Sequence, residues 1–249
     1  MGIKIHKKED FESMRKAGKL ASQTLDYITP FVAKGITTNE LDKLCHDFIV
    51  QNGAVPAPLG YRGYPKSICT SINHVICHGI PSDKKLQDGD IINIDVTVIV
   101  DGWHGDTSRM YTIGKLNPKA KKLVEVTFEA MMLGIEQVKP GNFFGDIGFA
   151  IQTFAEKHGF SVVRDYCGHG IGKVFHDEPS VLHYGKKGTG PMIETGMFFT
   201  IEPMINAGSY ESLLSKIDGW TVTTKDKSLS AQYEHTIGVT DTSYEIFTK

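Results

Sequence analysis

The stretch Asp90-Ile-Ile-Asn-Ile-Asp95-Val-Thr-Val-Ile-Val100-Asp-Gly102-Trp-His-Gly-Asp106-Thr-Ser-Arg-Met-Tyr-Thr112 holds two β-rich runs around Asp101-Gly102, a dipeptide that signals a type I′ hairpin turn. With that dipeptide as the loop, Val100 faces Trp103 and Thr97 faces Asp106. Asp106 then shares a face with Asp95, diagonal to it and about 7 Å away at the backbone. Ile92, Ile94, Val96, Val98 and Val100 take the opposite face and predict a buried layer. Two acids above an apolar hairpin can grip one cation.

Working outward, the chain repeats itself. Val32-Ala-Lys-Gly35 returns as Val138-Lys-Pro-Gly141, an offset of 106 at which Leu41, Leu44, Cys45, Phe48 and Gly53 meet Ile147, Ala150, Ile151, Phe154 and Gly159. These positions trace one helical face ended by glycine, and Thr37 with Glu40 forms a capping box at the start of the first copy. Another amphipathic helix precedes each copy: Phe11, Met14, Gly18, Ala21, Leu25 and Ile28 mark the first, and Leu123 to Val138 the second. At an offset of 107, Asp88-Gly89 to Asp95 lies over Thr195-Gly196 to Glu202, and each copy delivers a carboxylate at the sixth position after its glycine. The expectation is an α/β (α+β) chain of duplicated helix-helix-hairpin halves, about 10–113 and 118–249, forming one catalytic domain over residues 1–249. A cleft at the pseudo-twofold would receive one acid from each half. Gly53 to Pro65 reads as a long ordered loop.

Composition removes other classes. With 249 residues, 40% of them hydrophobic, and a formal charge of -2, the chain is neither disordered nor coiled coil and has no global attraction for nucleic acid or anionic lipid. The longest apolar run, Ile91 to Val100, is broken by Asn93 and Asp95 and cannot span a membrane. The N-terminus lacks an apolar signal region and reads as a mature cytoplasmic start; Cys45, Cys69, Cys77 and Cys167 read as free thiols. No P-loop, dinucleotide fingerprint or serine nucleophile elbow occurs.

Glu202 and Glu234, in Phe198-Phe-Thr-Ile-Glu202-Pro203 and Ala231-Gln-Tyr-Glu234-His235, read as acids on strands of the sheet that holds the hairpin. Four carboxylates in one cleft repel one another unless cations accompany them, and two divalent ions balance four negative charges. An oxygen-rich set with one imidazole suits Mn, Fe, Co or Zn. His169, in Cys167-Gly-His169-Gly-Ile-Gly172, is the candidate imidazole, because its flanking glycines admit close backbone approach. His6, His46, His158 and His183 read as ordinary polar surface residues, whereas His78 and His176 stand open between the two readings.

The blocks Tyr61 to Cys69, Cys77-His-Gly-Ile-Pro81, Asn93-Ile-Asp95, His104-Gly-Asp106, Cys167 to Gly172, Thr200-Ile-Glu202-Pro203 and Gln232-Tyr-Glu234-His235 closely resemble, in order, those of type I methionine aminopeptidases of the bacterial kind. The resemblance runs from about residue 5 to the end. It implies the pita-bread (creatinase/aminopeptidase) fold and a dinuclear metal site, with Asp95 and Asp106 bidentate, Glu234 bridging, and His169 and Glu202 terminal. A water shared by the two metals would be the nucleophile. Glu202 would also shuttle its proton, His176 would bond the carbonyl oxygen and His78 the backbone amide of the leaving side. Tyr61, Tyr64, Cys69, Phe175 and Trp220 would wall the methionine pocket. A monovalent cation, Na or K, maps onto Asn73, Val75 and Ser230.

Substrates on this resemblance are the N-termini of nascent polypeptides whose second residue is small. The chain is expected to be a cytoplasmic monomer without membrane attachment or nucleic-acid specificity. Lys119, Lys121 and Lys122 read either as a solvated helix face or as a transient ribosome-docking cluster. Two positions depart from the family pattern: His74 replaces a common Glu, and Glu194-Thr195-Gly196 replaces Lys-Pro-Gly. The rival readings are a pita-bread Xaa-Pro peptidase and a catalytically silent binding protein.

Overall fold

In the computed structural model, which describes residues 2–249, strands Ile91–Val100 and Trp103–Thr112 pair antiparallel, with Val100 opposite Trp103 and Thr97 opposite Asp106. Asp101 and Gly102 have φ of 50° and 80°, the left-handed pair that a type I′ turn needs. Ile92, Ile94, Val96 and Val98 are wholly buried beneath helices α1 (Lys8–Ile28) and α2 (Thr38–Gln51), with Val100 at the margin. Gly105 brings the hairpin against α1, since a Cβ there would lie 2.3 Å from the Ala17 carbonyl carbon. That contact seats the strand carrying Asp106.

The duplication recurs in the backbone bonds. Helix α2 starts on the expected capping box, the Thr37 N–H donating to Glu40 Oε2 at 2.8 Å and the Glu40 N–H to Thr37 Oγ1 at 3.1 Å. Gly35 N–H donates to the Leu86 carbonyl (2.9 Å) and its counterpart Gly141 N–H to the Ile193 carbonyl (3.0 Å). Leu86 N–H returns to Ile36 (2.9 Å) as Ile193 N–H returns to Asn142 (2.7 Å). In the second half, helices α3 (Pro118–Ile135) and α4 (Phe144–Lys157) cover Phe199, Ile201, Ile205, Ile237 and Val239. The same backbone bonds thus recur at the offsets of 106 and 107 at which the sequence repeats.

Every strand pairing is antiparallel, but the sheet is more divided than expected. The hairpin joins Val55–Pro56 and Cys69–Ile72, whereas Tyr244–Ile246, His235–Val239, Phe198–Ile201, Gly168–Gly170 and Asp177–Val181 form a separate five-stranded sheet in that order. Glu202 and Glu234 therefore do not share the hairpin's sheet. Phe198–Ile201 ends before Glu202, and the next residue, Pro203, has no N–H for a ladder. The two sheets meet where Ser108 and Glu234 exchange backbone bonds of 3.4 and 3.2 Å. The Gly53 to Pro65 loop holds the short strand Val55–Pro56 and a tight turn, Tyr61–Gly63, whose central residue is left-handed. No helix among the described residues is long and apolar enough to cross a membrane.

Candidate active site

The seam between the hairpin and the second half opens into a cavity of about 350 Å3. Asp95, Asp106, His169, Glu202 and Glu234 all line it, as do His78, His176 and the five residues expected to form the methionine pocket. Metal-compatible atoms of Asp106, His169 and Glu234 lie within 4.8 Å of one another. His169 Nε2 is 3.6 Å from Asp106 Oδ2 and 3.6 Å from Glu202 Oε1, while its Nδ1 sits 3.0 Å from the Gly170 carbonyl. A proton on Nδ1 donated to that carbonyl leaves Nε2 facing the acids.

Burial sets the electrostatics. It pushes the Asp95 carboxyl well above the usual range, with the charges of Asp106 and Glu202 adding to the rise. Glu234 is likewise pushed well up, first by burial and then by Asp106, Glu202 and Asp95. Glu202 is raised to about 7 by burial, with Asp106 adding to the rise and His169 opposing it. For His169 burial works downward, yet its bond to Asp106 and the nearby Glu202 and Asp106 charges carry the net shift upward. The cluster is an anionic trap that holds protons when no cation is bound.

Hydroxyls and amides fix these acids. Thr97 Oγ1 donates to Asp106 Oδ1 at 2.7 Å, and Thr200 Oγ1 to Glu202 Oε1 at 2.7 Å. Gln232 Nε2 donates to Glu202 Oε2 at 3.2 Å. The Glu202 N–H donates to His183 Nε2 at 3.1 Å. His183 was expected at the surface, but it is 1% exposed, and burial lowers its pKa to about 3. Its place was readable in principle, because Pro179, Val181 and His183 alternate as inward positions. His6 corrects the same expectation: it is 7% exposed and stacks 4.2 Å from Phe198, filling an aromatic gap between chain start and core. His46, by contrast, is half-buried against the Ser67 hydroxyl at 2.8 Å.

The aromatic residues form two groups. Tyr61 lies 4.8 Å from Phe175 by ring centroid, and Phe175 lies 4.1 Å from His176, whose Nδ1 is 3.0 Å from the Tyr61 hydroxyl. Tyr64 meets Trp220 edge-on at 5.1 Å, and Trp220 in turn lies 6.1 Å from His78. The Tyr64 hydroxyl donates to the Ile68 and Gly79 carbonyls, both at 3.1 Å. Cys69 is buried beside them. Asn73 and Ser230 stand together, the Ser230 N–H donating to the Asn73 carbonyl at 2.8 Å, and Val75 begins the adjoining strand Val75–Cys77. Sequence reasoning did not single out Arg62, Cys77 and Cys167, which lie inside motif blocks beside residues with a clearer chemical role, and it missed Asp165, Tyr166 and Met204, which lie outside them.

Against this geometry, residues 12–241 match the family model of metallopeptidase family M24. Over 248 residues, 100% of this chain and 96% of the relative, the sequence is 66% identical to a methionine aminopeptidase of Rickettsia prowazekii. The chain belongs to the methionine aminopeptidases of family M24. A methionine aminopeptidase of Escherichia coli strain K12 is 58% identical over 250 residues, 100% of this chain and 94% of that protein. The crystal structure of the Rickettsia prowazekii enzyme superposes with a TM-score of 0.99 over 100% of both chains. A prolidase from Pyrococcus horikoshii, 22% identical, matches 98% of this chain and 63% of its own with a TM-score of 0.78, which establishes the shared pita-bread fold alone. Membership of this metallopeptidase family implies divalent metal, and the donor set fits. One imidazole and buried carboxylates, whose mutual repulsion a bound cation would relieve in place of protons, are what a hard or borderline divalent ion takes.

Proposed function

We propose that the chain is a metal-dependent aminopeptidase that removes the initiator methionine from nascent polypeptides when the next residue is small. The convergence of Asp95, Asp106, His169, Glu202 and Glu234 on one aromatic-walled cavity carries this reading. Those five residues would hold two divalent ions (Co, Mn, Fe or Zn). When bound, such ions supply Lewis acidity toward the scissile carbonyl and lower the pKa of a coordinated water. The two halves, about 10–113 and 118–249, act as one catalytic domain, because their acids complete a single site.

The chain's own groups are suited to the remaining work. Glu202, held in the cavity by Thr200 and Gln232, is placed to take a proton and return it to the leaving amine. His176, though exposed at its outer edge, is kept neutral, its pKa lowered by desolvation against the cavity wall and by neighbouring His169. With Nδ1 accepting the Tyr61 hydroxyl, its Nε2–H can donate to the carbonyl oxygen as charge develops. His78, also lowered by burial, holds the amide on the leaving side. Tyr61, Tyr64, Cys69, Phe175 and Trp220 accept an unbranched, polarizable side chain.

Three further assignments complete the proposal. Asn73, Val75 and Ser230 take a monovalent ion, Na or K, supported by the Asn73–Ser230 contact. The protein works as a monomer in the cytoplasm, and the Lys119, Lys121 and Lys122 face meets the ribosome transiently as chains emerge.

The test compares Met-Ala, Met-Trp and Ala-Pro peptides after chelation and after readdition of each metal. Release of methionine from Met-Ala alone, lost on chelation and restored by metal, is the expected result. Metal-independent cleavage, or preference for the Ala-Pro peptide, would overturn the assignment.

A further inference from the structure

Four arginines occur in the chain: Arg15 pairs with Glu245 and Arg109 with Asp26, whereas Arg164 lies over the Tyr210 ring, away from the cavity. Arg62 differs. Among the described residues it has no acidic partner, and it is the one arginine or lysine lining the cavity. It is exposed, with its guanidinium carbon 5.3 Å from the centroid of the Tyr61 ring.

The backbone presents this side chain rather than merely tolerating it. Arg62 has φ 46° and ψ 31°, a left-handed conformation that glycine or asparagine adopts more easily. A tight turn holds it there: Gly60 N–H donates to the Tyr64 carbonyl at 2.8 Å and Tyr64 N–H to the Tyr61 carbonyl at 2.9 Å. A residue kept in a disfavoured conformation at the rim of a site, with its charge unmatched, points to a ligand that matches it.

Position names the ligand. The Tyr61 ring lies 5.2 Å from His176 and 5.3 Å from the Arg62 guanidinium carbon, so the guanidinium is no more than about 10.5 Å from the group assigned to the scissile carbonyl, and it is exposed at the mouth through which a polypeptide with its N-terminus among the acids must leave. An extended peptide advances about 3.3–3.6 Å per residue, which brings the side chains of the third and fourth residues to that distance. We propose that Arg62 is a specificity-determining residue that favours carboxylate side chains at the third and fourth positions of the polypeptide substrate. This rests on the aminopeptidase reading above.

Octapeptide amides beginning Met-Ala, with Asp, Glu, Ala or Lys placed at the third or the fourth position, test it; the C-terminal amide removes a competing carboxylate. In the wild-type protein, kcat/KM for the acidic peptides should exceed that for the lysine peptides by about two- to fivefold, as an exposed ion pair allows. The difference should lie mainly in KM and shrink as salt is raised. Arg62→Ala should bring the ratio to unity, Arg62→Glu should invert it and Arg62→Lys should retain it, with circular dichroism verifying the fold of each. Metal-dependent cleavage with a flat ratio in the wild type, or a ratio unchanged in Arg62→Ala, would sink the Arg62 proposal alone. Failure to release methionine from any peptide with any metal would sink the functional reading and this proposal with it.

Discussion

Asp95 and Asp106 stand on adjacent strands of a hairpin whose arms each run ten residues, so their separation follows from strand pairing alone. Glu202 and Glu234 instead occupy breaks, the first between Phe198–Ile201 and Met204–Asn206 and the second between Ser230–Gln232 and His235–Val239. A regular ladder fixes side chains by backbone bonds that any sequence makes. A break must fix them by particular side chains, here Thr200, Gln232 and His183 around Glu202. The first half is thus built for position, and the second for a carboxylate whose protonation is set by specific neighbours.

The largest effects should come from the acids themselves. Asp106→Asn and Glu202→Gln are each expected to lower kcat by about 10²–10⁴-fold while the circular dichroism spectrum stays that of the folded protein. Near wild-type turnover in either variant would remove that residue from the mechanism and, for Glu202, undo the contrast between the halves.

Outer contacts should separate the halves next. His183→Ala leaves the Glu202 N–H without its acceptor, whereas Thr97→Val removes a hydroxyl from an Asp106 that the ladder still holds. Losses of about 10–100-fold are typical for such supporting groups, and His183→Ala should fall at the upper end with Thr97→Val at the lower. His183→Gln, which can offer an acceptor to the same N–H, should recover part of the activity. Equal losses in the two alanine and valine variants would show that the ladder gives Asp106 no independent support.

The same contrast explains what could be read in advance. The hairpin register followed from Asp101-Gly102 and the two-residue period, and the helices from repeated apolar faces, because local rules decide both. The convergence of Glu202 and Glu234 with the hairpin acids was legible only through the duplication and the motif order. Their division between two sheets was not, since a strand that stops at Pro203 and a bridge at Ser108 depend on tertiary packing. His183 was misread for a related reason: the alternation of Pro179, Val181 and His183 could mark its inward direction but not the Glu202 backbone amide it meets.

Titration offers a smaller test. A carboxyl whose folded pKa is raised binds its proton more tightly when folded, so the metal-free protein should lose stability as pH rises from 4.5 through about 7, the span set by Glu202. Asp95 and Glu234 act in the same direction. His169, shifted upward, must release its proton before Nε2 can serve as a ligand, which also favours metal at higher pH. Buried His6 and His183, lowered to about 4 and about 3, cost stability as pH falls below 6.5, but they do so with or without metal and cancel in the difference. The rise in Tm on adding a divalent ion should therefore be greater at pH 8 than at pH 5.5. A rise independent of pH would mean that the buried acids do not hold protons in the metal-free state.

The smallest effect should come from the turn that makes the first half legible. Gly102 has φ 80° and open space where a Cβ would sit, so Gly102→Ala introduces backbone strain without a clash. That strain is worth about 1–2 kcal/mol, and for a chain of this size about 1 kcal/mol lowers Tm by roughly 2–4 °C. Activity should stay within about twofold, because ten paired residues on each arm and the contact of Gly105 with α1 hold the register once the chain is folded. If kcat instead fell as far as in Asp106→Asn, the turn and not the ladder would be setting the distance between Asp95 and Asp106, and the first half would depend on one residue as heavily as the second depends on His183.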